Sequence, residues 1–140
     1  MTTATTARSR RSLRLVGAGA LTFALVATGT AAATAQGGAK AVSKSGACSA
    51  SSTWKLKAKP DNAKVQIEFQ VDSNVVGQTW AVSIKDNGAS VFAGNAKTVG
   101  PSGSFSVSKL TADRAGADSI VATARNAATG ETCRGAVTLP

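Results

Sequence analysis

The stretch KVQIEFQVD carries the plainest pattern in the chain. Val65, Ile67, Phe69 and Val71 fall on one side of a strict alternation, and Lys64, Gln66, Glu68 and Gln70 on the other. A period of two belongs to a β-strand with one face in a core and the other in water. The same period runs through TWKLKAKP, where Trp54, Leu56 and Ala58 oppose Lys55, Lys57 and Lys59, and through QTWAVSIK, where Trp80, Val82 and Ile84 alternate. It returns in VFA (91–93), in SFSVSKL, in SIVATARN with Ile120, Ala122 and Ala124, and in TCRGAVTL with Cys133, Val137 and Leu139. Between these runs lie turn compositions: Pro60-Asp61-Asn62, Asp72-Ser73-Asn74, Asp86-Asn87-Gly88, Gly100-Pro101-Ser102-Gly103, the loop TADRAGA and the segment AATGE. Asn87-Gly88 is the strongest hairpin signal, because both residues tolerate positive φ. Gly94 is expected to weaken its strand and Gly135 to mark a bulge. Seven short strands at spacings of about 8 to 14 residues predict an all-β, antiparallel sandwich.

The first segment follows a different pattern. Leu15 to Ala27 is apolar and uncharged, is preceded by Arg8, Arg10, Arg11 and Arg14, and is followed by small residues ending in Ala33-Thr34-Ala35. This is the order of a helical export signal over 1–35, with cleavage between Ala35 and Gln36. A membrane anchor is the competing reading, since alanines extend the run towards the roughly 20 residues needed to span a bilayer. Ser9-Arg10-Arg11-Ser12-Leu13 resembles a twin-arginine signal. Arg14 stands where that signal would carry an apolar residue, so the general secretory route is favoured. Residues 36–50 are small, polar and glycine-bearing, the composition of a flexible tether, which leaves 51–140 as one immunoglobulin-like sandwich domain. With no apolar tail before Pro140, the expected product is secreted, monomeric and free of the membrane.

Charge and chemistry narrow the functional classes. The formal net charge is +9. Four of those positive charges lie in the export segment, so the remainder carries +5, enough for weak attraction to anionic surfaces but too dispersed to identify a specific nucleic-acid reader. Cys48 and Cys133 are the only cysteines, and in an exported chain such a pair reads as a disulfide. The absence of histidine removes the usual general base and the Ser-His and Cys-His nucleophiles. Asp113 and Asp118 share the spacing DRAGAD, which does not match a calcium-binding loop. With Asp72 and Asp86, they are read as turn-forming, solubilising residues. No enzyme activity and no cofactor are expected.

Gly103-Ser104-Phe105-Ser106-Val107, Ala115-Gly116-Ala117-Asp118, the alternation to Ala124 and the final strand resemble bacterial immunoglobulin-like and fibronectin-type-III-like modules. The resemblance extends weakly back to Trp54 and implies a fold rather than a subfamily. The chain departs from it in two ways. Without tyrosine it has no tyrosine corner, and its cysteines stand before the first strand and in the last one instead of on paired central strands.

Trp54, Lys55, Lys57, Lys59, Asp113 and Asp118 remain as a candidate binding surface. Trp54 and Trp80 are in register with inward positions, so core packing is the first reading of both, with an aromatic sugar platform formed by the two as the alternative. The lysine ladder reads as a guard on an edge strand, or as a weak grip on anionic wall polymers. The expected function is a non-catalytic binding or adhesion module for a protein or wall polysaccharide. The alternative is an inhibitor or effector presenting Thr111–Asp118 or Asp86-Asn87-Gly88 to a target enzyme.

Overall fold

The computed structural model describes residues 40–140; the expected export segment 1–35, its expected cleavage site at Ala35 and Gln36, and the first residues of the expected tether lie outside them. Eight strands follow one another: β1 (Val42–Ala47), β2 (Thr53–Pro60), β3 (Lys64–Asp72), β4 (Thr79–Asp86), β5 (Ala89–Lys97), β6 (Ser104–Ala112), β7 (Asp118–Asn126) and β8 (Thr132–Leu139). They form two four-stranded antiparallel sheets, ordered β1-β2-β3-β6 and β5-β4-β7-β8. The fold is an all-β sandwich of a kind compatible with immunoglobulin-like modules.

The alternating positions build its core. Leu56, Ile67 and Phe69 from one sheet meet Trp80, Ile84 and Ile120 from the other, all fully buried. Trp80 packs its ring 6.2 Å from that of Phe105, so the core reading of this tryptophan holds. Asn87 and Gly88 take φ of 48° and 82°, the mirror-image turn whose twist matches that of the flanking strands. Asn62 and Ala63, at 50° and 59°, make the β2–β3 turn in the same way.

Two seams close the sides of the sandwich. On one, the Cys48–Cys133 disulfide joins the end of β1 to β8, and Trp54 lies between Gly46 and Gly135. A Cβ on Gly135 would fall 2.6 Å from the indole, and one on Gly46 2.9 Å from it. Gly135 pairs in unbroken register with Ala122. It is therefore not a bulge, and the volume its missing side chain leaves is the volume the indole fills. On the other seam the Lys109 ammonium sits 4.7 Å over the Phe92 ring, a cation–π contact. Gly94 leaves room for that ring, where a Cβ would come within 3.0 Å, and β5 continues through it. The bulge lies instead between β4 and β5, where Ile84 pairs with Phe92, Lys85 pairs with Ser90 and Val91 is left over.

Residues 42–47 do not belong to a tether: they form β1, paired along its whole length with β2. The strand count rises from seven to eight, and the meaning of the lysine ladder changes. TWKLKAKP has β1 on one side and β3 on the other. It is an interior strand, and the edge it was expected to guard is occupied.

Candidate binding surfaces

The six candidate residues are not brought to one place. Lys55, Lys57 and Lys59 project from the outer face of the first sheet and are exposed. Trp54 is half-buried, points the other way into the glycine slot, and donates Nε1–H to the Ala47 carbonyl at 3.2 Å. Its indole packs against Gly46 and Gly135, so this part of the ring serves the seam between the sheets. Asp113 is exposed in the loop between β6 and β7, whereas Asp118 opens β7 with its side chain inwards.

Beside the lysines run three hollows in a row. The first, of about 420 Å³, is lined by Ser45, Gly46, Thr53, Trp54, Lys55, Gln70 and Asp72. The next, of about 100 Å³, lies among Lys55, Lys57, Glu68 and Gln70. The third, of about 160 Å³, lies among Lys57, Lys59, Gln66 and Glu68. Each shares two side chains with its neighbour, because Lys55 pairs with Gln70, Lys57 with Glu68 and Lys59 with Gln66 across the β2–β3 ladder. Glu68 accepts a hydrogen bond from Ser106 Oγ at 3.3 Å. The result is a shallow groove with a lysine wall and an opposite wall in which the amides Gln66 and Gln70 alternate with the carboxylates Glu68 and Asp72.

At one end of the sandwich the chain builds a latch that the sequence pattern did not reveal. Glu131 is buried, and its two carboxylate oxygens accept Ser52 N–H at 2.8 Å and Ser52 Oγ–H at 2.9 Å. Ser49 N–H donates to the Thr132 carbonyl, and Thr132 N–H donates to Ser49 Oγ, at 2.8 and 2.9 Å. These bonds, with the disulfide, tie the β1–β2 loop to the β7–β8 loop. A signal was present: once Cys48 and Cys133 are joined, Ser49–Ser52 and Thr129–Thr132 must meet, and a carboxylate among hydroxyls and free N–H groups finds donors.

The other two loops at this end are bound as firmly. Thr98 Oγ–H donates to the Val75 carbonyl at 2.6 Å and accepts Gln78 N–H at 2.9 Å. Ser73 donates to the Gly103 carbonyl from both N–H and Oγ–H, at 3.1 and 3.0 Å. Gly103 has φ 74°, and a Cβ there would meet the Val75 nitrogen at 2.3 Å, so the β3–β4 loop rests directly on it. On this frame stand Val75, Val76 and Val99, exposed to 50%, 58% and 59%. Val76 reaches towards Gly100 on the neighbouring loop, which makes the two loops one apolar surface. Beside it a cleft of about 320 Å³ is lined by Ser49–Ser52, Ser73, Val75, Gln78 and Thr129–Glu131.

The opposite end corrects the reading of the aspartates. Asp86 is 0% exposed and Asp118 2% exposed, so neither is a solubilising turn residue. Both continue the inward series of their strands, Trp80-Val82-Ile84-Asp86 and Asp118-Ile120-Ala122-Ala124. Neither oxygen of Asp86 has a hydrogen-bond donor. Burial pushes its carboxyl above the ordinary value, the negative charge of Asp118 pushes it further, and Arg114 opposes the rise. Asp118 accepts Asn87 Nδ2–H at 3.2 Å. Among the described residues no three His, Cys, Asp or Glu side chains are grouped so as to hold a metal ion. Comparison of the chain with protein-family models, with curated proteins and with solved structures finds no match.

Proposed function

We propose that the protein is a small exported, non-catalytic binding module of immunoglobulin-like type whose latched loop end docks a protein partner. The observation that carries this reading is the pair of hydrogen-bonded loops holding Val75, Val76 and Val99 half or more exposed. Contiguous apolar side chains on a surface favour protein contact, because burying them removes their area from water at roughly 25 cal/mol per Å². Loops already fixed by Thr98, Ser73 and Gly103 lose little conformational freedom on binding. Around the valines the hydroxyls of Ser49 and Ser51 supply a neutral polar rim, the arrangement of an interface with an apolar centre and a wet border. The disulfide is compatible with an oxidising, extracellular location and supports export. The chemistry to be recognised is therefore a protein surface with an apolar protrusion and hydrogen-bonding flanks.

The test is capture from the producing cell's culture medium and envelope, followed by reconstitution with the purified partner, using wild type and a Val76→Lys/Val99→Lys double variant. Both valines are surface residues, so the variant is expected to keep its stability within about 0.5 kcal/mol while losing at least about tenfold in affinity. A purified partner that binds the double variant as tightly as wild type would sink the reading. Inhibition of a hydrolase by both proteins alike would put the inhibitor reading, with Asp113 and Asn87 at the far end, in its place.

A further inference from the structure

The lysine wall of the groove lies on the outer face of the first sheet, and its geometry selects a chemistry. We infer that it takes an extended polyol phosphodiester chain, with successive phosphates on Lys55, Lys57 and Lys59 and the polyol hydroxyls on the amides of the wall opposite.

Three features lead there. The first is spacing. Alternate residues of a strand stand about 6.7 Å apart, so three ammonium groups recur at that interval along about 13 Å. That is the interval at which a chain with one phosphodiester per three-carbon polyol carries its charges. The second is the opposite wall. Gln66 and Gln70 line the hollows, and Gln66 Nε2–H already donates to Ser108 Oγ at 3.3 Å. Ser45 and Thr53 line the largest hollow. These neutral groups both donate and accept, which suits hydroxyls; Asp72 borders the largest hollow beside them and, like Glu68, disfavours a phosphate there. The third is the lack of a stacking surface. The one aromatic side chain in β2, Trp54, borders only the end hollow, and its indole packs against Gly46 and Gly135 rather than standing among the lysines. A single-stranded nucleic acid would find phosphate partners here but no platform for its bases, so it is the less suited polyanion.

Glu68 marks the site's limit. It sits opposite Lys57, at the centre of the groove, and accepts its hydrogen bond from Ser106 of β6. A carboxylate beside a phosphate weakens binding. The site is thus tuned to a modest grip that many repeats strengthen, as expected for retention on a polymer.

The full chain should be titrated against poly(glycerol phosphate) at low and at physiological salt. Lys55→Gln/Lys57→Gln/Lys59→Gln would be compared with Lys85→Gln/Arg125→Gln/Arg134→Gln, which removes equal charge from exposed positions of the other sheet. The arginines of the N-terminal segment are common to both and cancel. The groove variant is expected to lose about tenfold or more and the control less than about threefold. The single variant Glu68→Gln, which disturbs nothing buried, is expected to gain about threefold. Equal losses in the two triple variants would reduce the effect to net charge and overturn the proposal. So would an absence of binding by wild type, unchanged affinity in Glu68→Gln, or binding to oligothymidylate as tight as to the polyol phosphate.

Discussion

At the disulfide end of the sandwich Glu131 is buried with both carboxylate oxygens occupied, whereas at the opposite end Asp86 is buried with neither. The chemical group is nearly the same, and both are buried, Asp86 the more completely. What differs is where the donors come from. Glu131 lies between two loops, one of which can turn a backbone N–H and a hydroxyl towards it. Asp86 closes an interior strand whose N–H groups are committed to β5 and β7, and its near neighbour across the sheet is another carboxylate, Asp118. Loops from distant parts of the chain can thus satisfy a buried charge that regular ladders cannot. The end that is satisfied is also the one that displays the valines, so the hydrogen-bonded loops lie where the proposed docking would use them.

The largest test of that contrast is removal of the covalent part of the latch. Cys48 and Cys133 are 85 residues apart, so a Cys48→Ala/Cys133→Ala variant releases most of the unfolded chain and should lose about 3–5 kcal/mol. Urea denaturation gives the total. Native-state hydrogen exchange should show the earliest opening at Ser49–Ser52 and Thr129–Thr132, with Asp86–Asn87 protected until global unfolding. Uniform loss of protection would show that the ends are not separate units.

A smaller effect isolates the polar part. Glu131→Ala leaves Ser52 N–H and Oγ without their acceptor and should cost about 2 kcal/mol, again with exchange rising at the loop end alone. It should also weaken the proposed valine-mediated docking, because the cleft beside the valines includes Glu131. If stability falls and docking does not, the latch and the docking surface are unconnected.

How far the sequence showed these features follows from their range. The alternation in β2, β3, β4 and β7 is written in consecutive residues, and it placed Leu56, Phe69, Trp80 and Ile120 in the core. Asn87-Gly88 is equally local. β1 escaped because VSKSGA has no apolar alternation: its backbone is ordered by pairing with β2, and only Val42 and Gly46 are half-buried. Missing β1 made β2 seem an edge and turned its lysines into a guard. The valines at 75, 76 and 99 carry no period, and only hydrogen bonds between β3–β4 and β5–β6 loops bring them together. The Gly46–Trp54–Gly135 slot joins residues far apart in the chain, so Gly135 could be read only by its local meaning. Asp86 and Asp118 were different. Their inward phase is legible from Ile84 and Ile120, while the turn composition around them points to the surface.

The smallest effect, and the one with opposite sign, belongs to Asp86. Its carboxyl titrates above 3.8 in the folded protein, because burial and the charge of Asp118 disfavour ionisation more than Arg114 favours it. The folded state therefore binds more protons than the unfolded chain between 3.8 and the raised value. The stability contributed by protonated Asp86 is fully present below about 3.8 and declines as pH rises through the folded value, leaving a constant deficit above it. Asp86→Asn removes the ionisation and gives a donor that can reach Asp118. It should stabilise the protein by about 1 kcal/mol at neutral pH and flatten the pH dependence of unfolding. The two curves, from urea denaturation between pH 3 and 8, should converge on the acid side. A variant less stable than wild type at pH 7 would mean that ionised Asp86 has a partner at this end, and the contrast with Glu131 would fail there.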